Sequence, residues 1–339
     1  TQMDMLKIAP YGSVADDELH IGVIAMFHNL LSIFNPDQDL MNSAFWVPVI
    51  MASLAVVPAF FAVRRYAGNL GGFIAGFIVL IHPTFISRTM GGFSDTDPYN
   101  VLMPLFIGWF LIEAFSAKDL WKSITFGVLA GVSTWLFALM WSGWFYMFVL
   151  SIGAIVIYLL WLLFYRGVKH KQSIGKIFAS KDVKNDLSMV GVFLATSSLL
   201  IGFSRGFYTI TRVFTQVIRS TNLKEVGVSS IWPNVYRTVA ELNAVDNSQI
   251  LQNIGGTGIF TIAMIGILMT LVSLKKENVA KEVAYVIGAL AYYAFLMNNP
   301  NSFGSFVYVS LLSLPIFSKM LFNLLMYEKS DLKDIDIRY

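Results

Sequence analysis

An all-α, multi-pass membrane protein is the fold class this sequence predicts, and three observations carry it. Apolar residues make up 56% of the 339 positions and charged residues only 13%, against about 45–50% and about 25% in a soluble domain. The mean hydropathy is +0.65. Uncharged runs recur at 43–63, 69–87, 123–165, 187–204, 254–274 and 283–318, and a spanning helix needs about 20 such residues. A chain of this kind cannot cover itself with polar surface, so a bilayer must solvate much of it. Disorder, a coiled coil and a disulfide-stapled module are excluded. The absence of cysteine also removes zinc–thiolate sites, iron–sulfur clusters and thiol catalysis. The net charge is only +3, and no nucleic-acid partner is expected. The chain opens on Thr1 without a signal peptide and is expected to be part of a longer protein.

Taken in order, residues 1–42 read as an outer loop containing a helix over 20–34. That stretch is too short to span, carries His28 and Asn29, and stops at Asn35-Pro36, so it is expected to lie in the interface. Transmembrane helices follow over 43–204. The run 123–165 holds two, hinged near Ser142-Gly143, and a further helix fits 99–116, ending near Glu113. The second transmembrane block covers 254–327, with a tight turn at Asn298–Ser302, and residues 328–339 form a cytoplasmic tail. Nine crossings result.

Charge placement orients them. The loop 166–186 carries Arg166, Lys169, Lys171, Lys176, Lys181 and Lys184 against only Asp182 and Asp186. Placing it in the cytoplasm also places Arg64-Arg65, Lys118/Lys122 and Lys275-Lys276 there. The opposite face receives 1–42, the loop 88–98, and the long loop 205–253. Within that last loop Phe207, Ile210, Phe214, Val217 and Ile218 recur at helical spacing.

Two places on the outer face could carry chemistry. Asp95-Thr96-Asp97 follows Arg88 and the pair Gly91-Gly92. Two carboxylates this close repel, which favours a hard divalent cation held through oxygen. The plainer reading makes Asp97-Pro98 the N-cap and first residue of the next helix. Arg88 suits a partner of those aspartates, an anionic substrate, or a lipid headgroup. Glu241 lies in the long outer loop, in Trp232-Pro-Asn-Val-Tyr-Arg-Thr-Val-Ala-Glu241. Arg205, Arg212 and Arg219 suit either phosphate or the anchoring of an interfacial helix. The four histidines do not cluster in sequence; His82-Pro83 reads as a kink inside a span, and His170 belongs to the basic loop.

The stretch Arg88–Asp97 resembles the second D-x-D region of the catalytic subunit of oligosaccharyltransferases, archaeal and bacterial single-subunit enzymes included. Thr238-Val239-Ala240-Glu241 resembles that family's T-I-x-E region. The resemblance runs from Tyr11-Gly12-Ser13 to about residue 320 and implies the transmembrane domain of a GT-C-type glycosyltransferase. It implies transfer of an oligosaccharide from a lipid-linked phosphate carrier to asparagine of N-x-S/T, by a single-subunit enzyme of the plasma membrane whose active site faces outward. It further implies Mn²⁺ or Mg²⁺ as cofactor. Asp95 and Asp97 would be metal-site residues, Glu241 a ligand or acceptor-orienting group, and Arg88 an arginine near that site.

The chemistry suits these residue types. An amide nitrogen is a poor nucleophile, and carboxylates accepting its N–H bonds polarise it. A cation offsets charge on the departing phosphate. Several family features do not appear: the first catalytic aspartate, the W-W-D-Y-G motif, and an arginine expected near Leu314-Pro315, where Tyr308 lies instead. On that account this chain by itself is expected to be inactive. Rival readings are another polytopic lipid-phosphate glycosyltransferase acting on serine or threonine, a transporter, and a non-catalytic scaffold. A transporter would carry ionisable groups at mid-membrane and repeated halves.

Overall fold

The computed structural model describes residues 3–4, 13–14, 19–221, 247–270, 279–302 and 305–326. Apart from a two-residue antiparallel bridge between Met3–Asp4 and Ser13–Val14, its regular elements are helical. They fall into two compact units, one built mainly from Thr1–Leu163 and Ser173–Val217, the other from Phe164–Gln172 and Ile218–Ile337.

In the first unit, α1 (Leu19–Ser32) precedes α2 (Leu40–Leu54), α3 (Val56–Ile81) and the short α4 (Pro83–Thr89). Ala55 keeps helical dihedrals, so α2 runs on into α3. The stretch Leu40–Ile81 is 42 residues long, far more than one crossing needs. It doubles back at Gly68, whose φ of 67° and ψ of −172° break the helix. Beyond the break the two arms touch. A Cβ added to Gly72 would lie 2.7 Å from the Phe60 carbonyl, and one on Gly76 would lie 2.8 Å from Val56. The arms enclose an apolar cleft of about 270 Å³ lined by Val56, Phe60, Phe73 and Phe77 among others. A side chain at a positive φ with extended ψ, a region that is essentially glycine's alone, costs roughly 1–3 kcal/mol. Gly68→Val is therefore expected to lower stability by about that amount, read as a fall in the detergent-solubilised unfolding midpoint, while Gly153→Val, with nothing within 4 Å of its Cβ position, changes it little.

Helices α5 (Tyr99–Ser116), α6 (Leu120–Met140), α7 (Phe145–Lys169) and α9 (Lys181–Arg205) form the core, with α8 (Ile174–Ala179) between the last two. The expected hinge is present: Trp141 is extended, and a single 3₁₀ turn at Ser142–Trp144 leads into α7. His82 is also extended, and Pro83 opens α4, so the His82-Pro83 pair breaks the helix rather than sitting within it. The buried face is aromatic and aliphatic, with Tyr99, Ile107, Phe137, Phe148, Phe193 and Ile201 in one cluster. The outward face is apolar too: Leu70, Leu150 and Phe203 are 73%, 66% and 79% exposed. A water-facing surface does not carry such a density, whereas lipid solvates it.

Polar side chains bind helices at their ends. Asp119 caps α6 by accepting from the Trp121 amide, 3.3 Å away. Ser123 donates to the Ala114 carbonyl at 2.9 Å, and Arg65 pairs with Glu113 at 2.6 Å. At the other end Trp135 donates to Ser204 at 3.0 Å and Arg205 to the Leu139 carbonyl at 3.2 Å. Since α5, α6, α7 and α9 alternate in direction, the start of α5, the end of α6 and the end of α9 share one end of this unit. The chain leaves that end as α10 (Tyr208–Thr221). There Val213 is buried and Ile210 packs against the core, while Phe207 and Phe214 are exposed.

In the second unit, α11 (Asn247–Asn253) meets α12 (Gly256–Thr270) at a bend of 74°. Next come α13 (Val279–Asn298) and α14 (Ser305–Met326). The turn after α13 is tied to α11, since Asn247 donates to the Pro300 carbonyl at 2.8 Å. Pro315 lies inside α14. It has no N–H for the carbonyl four residues earlier, and the hydroxyl of Tyr292 donates to that carbonyl, Leu311, at 3.0 Å. Tyr293 donates to Leu312 at 3.1 Å. Buried beside this seam are Glu282 and Lys319, both 0% exposed, paired at 2.5 Å.

Six described stretches are long and apolar enough to cross a bilayer, or seven if the bent pair is one span. The sequence reading has nine. The difference lies in the doubled-back stretch 40–81, in the bent pair, and in α14, where only Ser310–Leu321 passes as an apolar helix.

Candidate functional site

The D-x-D segment lies in the connection between α4 and α5. Pro83 starts α4, Phe85 buries it against the core, and its last turn carries Arg88. The chain then turns at Gly91-Gly92. Phe45 of α2 fills the space a side chain would need: a Cβ on Gly91 would lie 2.4 Å from its ring. Gly92 has a φ of 89°, and its amide donates to the Phe45 carbonyl at 3.2 Å. The two glycines are thus required by a close approach as well as by backbone conformation.

From there the segment descends into α5 through short-range bonds. The Asp95 amide donates to Phe93 at 2.9 Å, Tyr99 to Thr96 at 3.0 Å, and Asn100 to Asp97 at 3.1 Å. One Asp95 carboxylate oxygen accepts from the Thr96 amide at 2.6 Å, and the residue is exposed. Asp97 is half-buried. Its Oδ2 lies 3.6 Å from Arg88, and its Oδ1 accepts from the Asn100 amide at 3.4 Å. The Arg88 pair is partly solvated, at 51% and 29% side-chain exposure, and contributes under about 1 kcal/mol. Its larger effect is to offset one of two neighbouring negative charges. The α5 N-terminus, where aligned peptide dipoles favour anions, offsets them further.

The expected cap is corrected here. Pro98 occupies the N-cap position of α5, which has no side-chain cap bond. Asp97 instead engages Arg88 and the Asn100 side chain, because Pro98 carries the chain straight into the first turn.

Asp95, Asp97 and Arg88 are therefore together. Glu241, with Thr238, lies outside the described residues. Among the described residues no three His, Asp or Glu side chains gather into a metal cluster. The donors that are present suit a hard cation. Asp95 and Asp97 belong to the connection itself, and Asn100, whose side-chain amide reaches Asp97, has a buried Oδ1 with no hydrogen-bond partner among the described residues; all are oxygen donors of the kind Mn²⁺ and Mg²⁺ prefer.

Other candidates resolve differently. Arg205 donates to the Leu139 carbonyl of α6, and Arg212 lies 5.4 Å over the Tyr208 ring of its own helix. The side chain of Arg219 lies outside the described residues. Tyr308 is fully buried and donates to the Leu296 carbonyl at 3.3 Å, so it is a packing residue and not a substitute for the expected arginine. Sequence reasoning missed three neighbours of the D-x-D segment: Phe45, Asn100 and His20. Asn100, three residues past Asp97, was legible as one turn away; the other two come from distant elements and left no local signal.

The helical bundle, its apolar exterior and its long apolar helices define a polytopic membrane protein, with a pair of aspartates where one helix begins. A family profile, oligosaccharyl transferase STT3, N-terminal, matches residues 1–327. The chain belongs to this family. A dolichyl-phosphooligosaccharide-protein glycotransferase of Methanococcus voltae is 32% identical over 285 residues, covering 79% of this chain and 30% of that protein. The like-named protein of Methanocaldococcus jannaschii is 27% identical, covering 85% and 38%. An undecaprenyl-diphosphooligosaccharide–protein glycotransferase of Campylobacter jejuni is 23% identical, covering 73% and 37%. The chain thus spans about a third of the length of these relatives. The apo crystal structure of the Archaeoglobus fulgidus oligosaccharyltransferase superposes with a TM-score of 0.51 at 18% identity, over 96% of this chain and 44% of that one. It shares the fold.

Proposed function

We propose that this chain supplies the membrane domain of an oligosaccharyltransferase, which moves a glycan from a lipid-linked phosphate carrier to asparagine in N-x-S/T. The observation that carries the reading is the Asp95/Asp97 pair, held by Arg88, Asn100 and Phe45 at the end of a bundle of this family. Asp95 and Asp97 are the metal-side carboxylates. Glu241 is the third acid, either a further ligand or the group that orients the acceptor amide. A bound Mn²⁺ or Mg²⁺ would supply Lewis acidity toward the leaving phosphate. Carboxylate oxygens accept the N–H bonds of the acceptor amide and so weaken the delocalisation that makes its nitrogen inert. Arg88 limits the mutual repulsion of the two aspartates. The lipid carrier arrives laterally, so the acids must stand at the membrane surface.

The test is transfer by the intact, purified protein of glycan from a lipid-linked oligosaccharide to an N-x-S/T peptide with Mn²⁺ or Mg²⁺ present. Glycopeptide that disappears on adding EDTA is the expected result. Undiminished transfer in EDTA removes the metal role, and no transfer under any metal removes the activity.

The same reading places Asp95 outside the plasma membrane and the basic segment inside. The chain has no cysteine, so a single cysteine placed in it has no competing thiol within these 339 residues. A cysteine at Gly175 is expected to react with an impermeant maleimide only after the membrane is opened, and one at Ser94 in intact cells. The reverse pattern inverts the topology.

A further inference from the structure

Near the start of α1 sits His20, only 7% exposed, to which the sequence assigned no role. Both ring nitrogens are engaged. Nδ1 lies 3.0 Å from the Tyr99 hydroxyl, and Nε2 lies 3.3 Å from the Ser94 hydroxyl. The His20 and Tyr99 rings meet edge to face at 5.6 Å. Ser94 immediately precedes Asp95, and Tyr99 immediately follows Pro98. One imidazole, from an element more than seventy positions away, therefore holds both ends of the four residues that carry the two aspartates.

From this bracketing we infer that His20 is a positioning residue for the Asp95–Asp97 segment, a role that rests on reading those aspartates as cation donors. The geometry suits the task. A neutral imidazole has one donor and one acceptor, and each hydroxyl can play either part, so both bonds are satisfied in either tautomer. The bonds within the segment join near neighbours, such as Asp95 to Phe93 and Tyr99 to Thr96. They shape its turns without fixing where the whole segment stands. Phe45 fixes its entry at Gly92, and Tyr99, fully buried, fixes its exit in the core. His20 ties Ser94 to that fixed exit. Without it, Asp95, which is exposed, is free to swing, and a cation would have to order it on binding. Groups that orient metal-binding side chains typically account for about 10–100-fold in metal affinity or activity when removed.

The experiment measures Mn²⁺ binding to the intact purified protein by the free-ion EPR signal, alongside the Mn²⁺ dependence of glycan transfer. His20→Ala is expected to weaken Mn²⁺ binding by about tenfold or more, with the maximal rate at saturating Mn²⁺ falling less than the affinity does. Ser94→Ala removes one of the two bonds at an exposed position and is expected to weaken binding by a smaller factor. His20→Gln, whose amide offers a donor and an acceptor, is expected to recover part of the loss. A merely structural histidine would reduce the yield of folded protein and leave the affinity of the folded fraction unchanged. Asp95→Ala separates the two readings. If it binds Mn²⁺ as tightly as the parent, the cation reading of this segment fails whatever His20 does. If Asp95→Ala loses Mn²⁺ while His20→Ala and Ser94→Ala keep the parent affinity, the positioning role is overturned. Should His20→Ala fail to fold, the Ser94→Ala titration alone decides.

Discussion

Asp95→Ala in the intact protein is expected to lower glycan transfer by at least about a hundredfold, the order seen when one preorganised electrostatic group at a reacting centre is lost. Glu241→Gln is expected to do the same, because it keeps the shape of the side chain and removes its charge. Two independent properties of the D-x-D segment support the size of the first effect. Asp95 is the exposed member of the pair, with carboxylate oxygen available to a cation, whereas Asp97 shares its carboxylate with Arg88 and Asn100. The segment is also held in place by Phe45, so the charge is preorganised rather than recruited. Leu242→Ala, next to Glu241 in sequence, is expected to have a much smaller effect and serves as the control for local damage. The assay is glycopeptide formation with and without EDTA. Full activity in both acid variants would falsify the site and reduce the aspartates to helix-entry residues.

The second large effect concerns stability. Lys319 and Glu282 are fully buried and paired between α13 and α14, with Lys319 also 5.3 Å from the Tyr285 ring. Removing one partner takes from the other the counter-ion of a buried pair in a low-dielectric interior, which costs about 3–5 kcal/mol. Lys319→Met is therefore expected to lower stability by about that much, measured as the unfolding midpoint in detergent. The double variant Glu282→Gln/Lys319→Met is expected to recover most of it, since exchanging both members of a buried pair for neutral groups is often close to neutral. Equal losses in the single and double variants would show that the two side chains do not depend on each other. Tyr285 donates to the Pro315 carbonyl at 2.5 Å on the same seam, so Tyr285→Phe probes whether the hydroxyls or the ion pair hold these helices in register.

How much of this was legible in the sequence differs by element. Helix α5 was readable to the residue, because an apolar run interrupted only by Glu113 is bounded by Asp97-Pro98 and Lys118-Asp119, which fix both of its ends locally. The hinge at Ser142–Trp144 was readable from length, because the uncharged run 123–165 is long enough for two spanning helices and Ser142-Gly143 lies within it. The Gly91-Gly92 turn was readable as a turn, but its cause was not, since Phe45 comes from another helix. The reversal at Gly68 was implied by two adjacent apolar runs, while the contact of Phe60 with Gly72 needed coordinates.

By itself, the sequence determined the fold class, the places of most apolar helices, and the carboxylates that offer oxygen donors to a cation. These follow from composition and short-range pattern, because a bilayer forces each apolar run to satisfy its own backbone within a helix. Only the tertiary structure decided which residues surround the carboxylates. His20 is paired with Ser94 and Tyr99, Arg88 with Asp97, and Glu282 with Lys319. Helix packing settles such pairings, bringing together side chains from separate elements whose spacing along the chain carries no periodic signal.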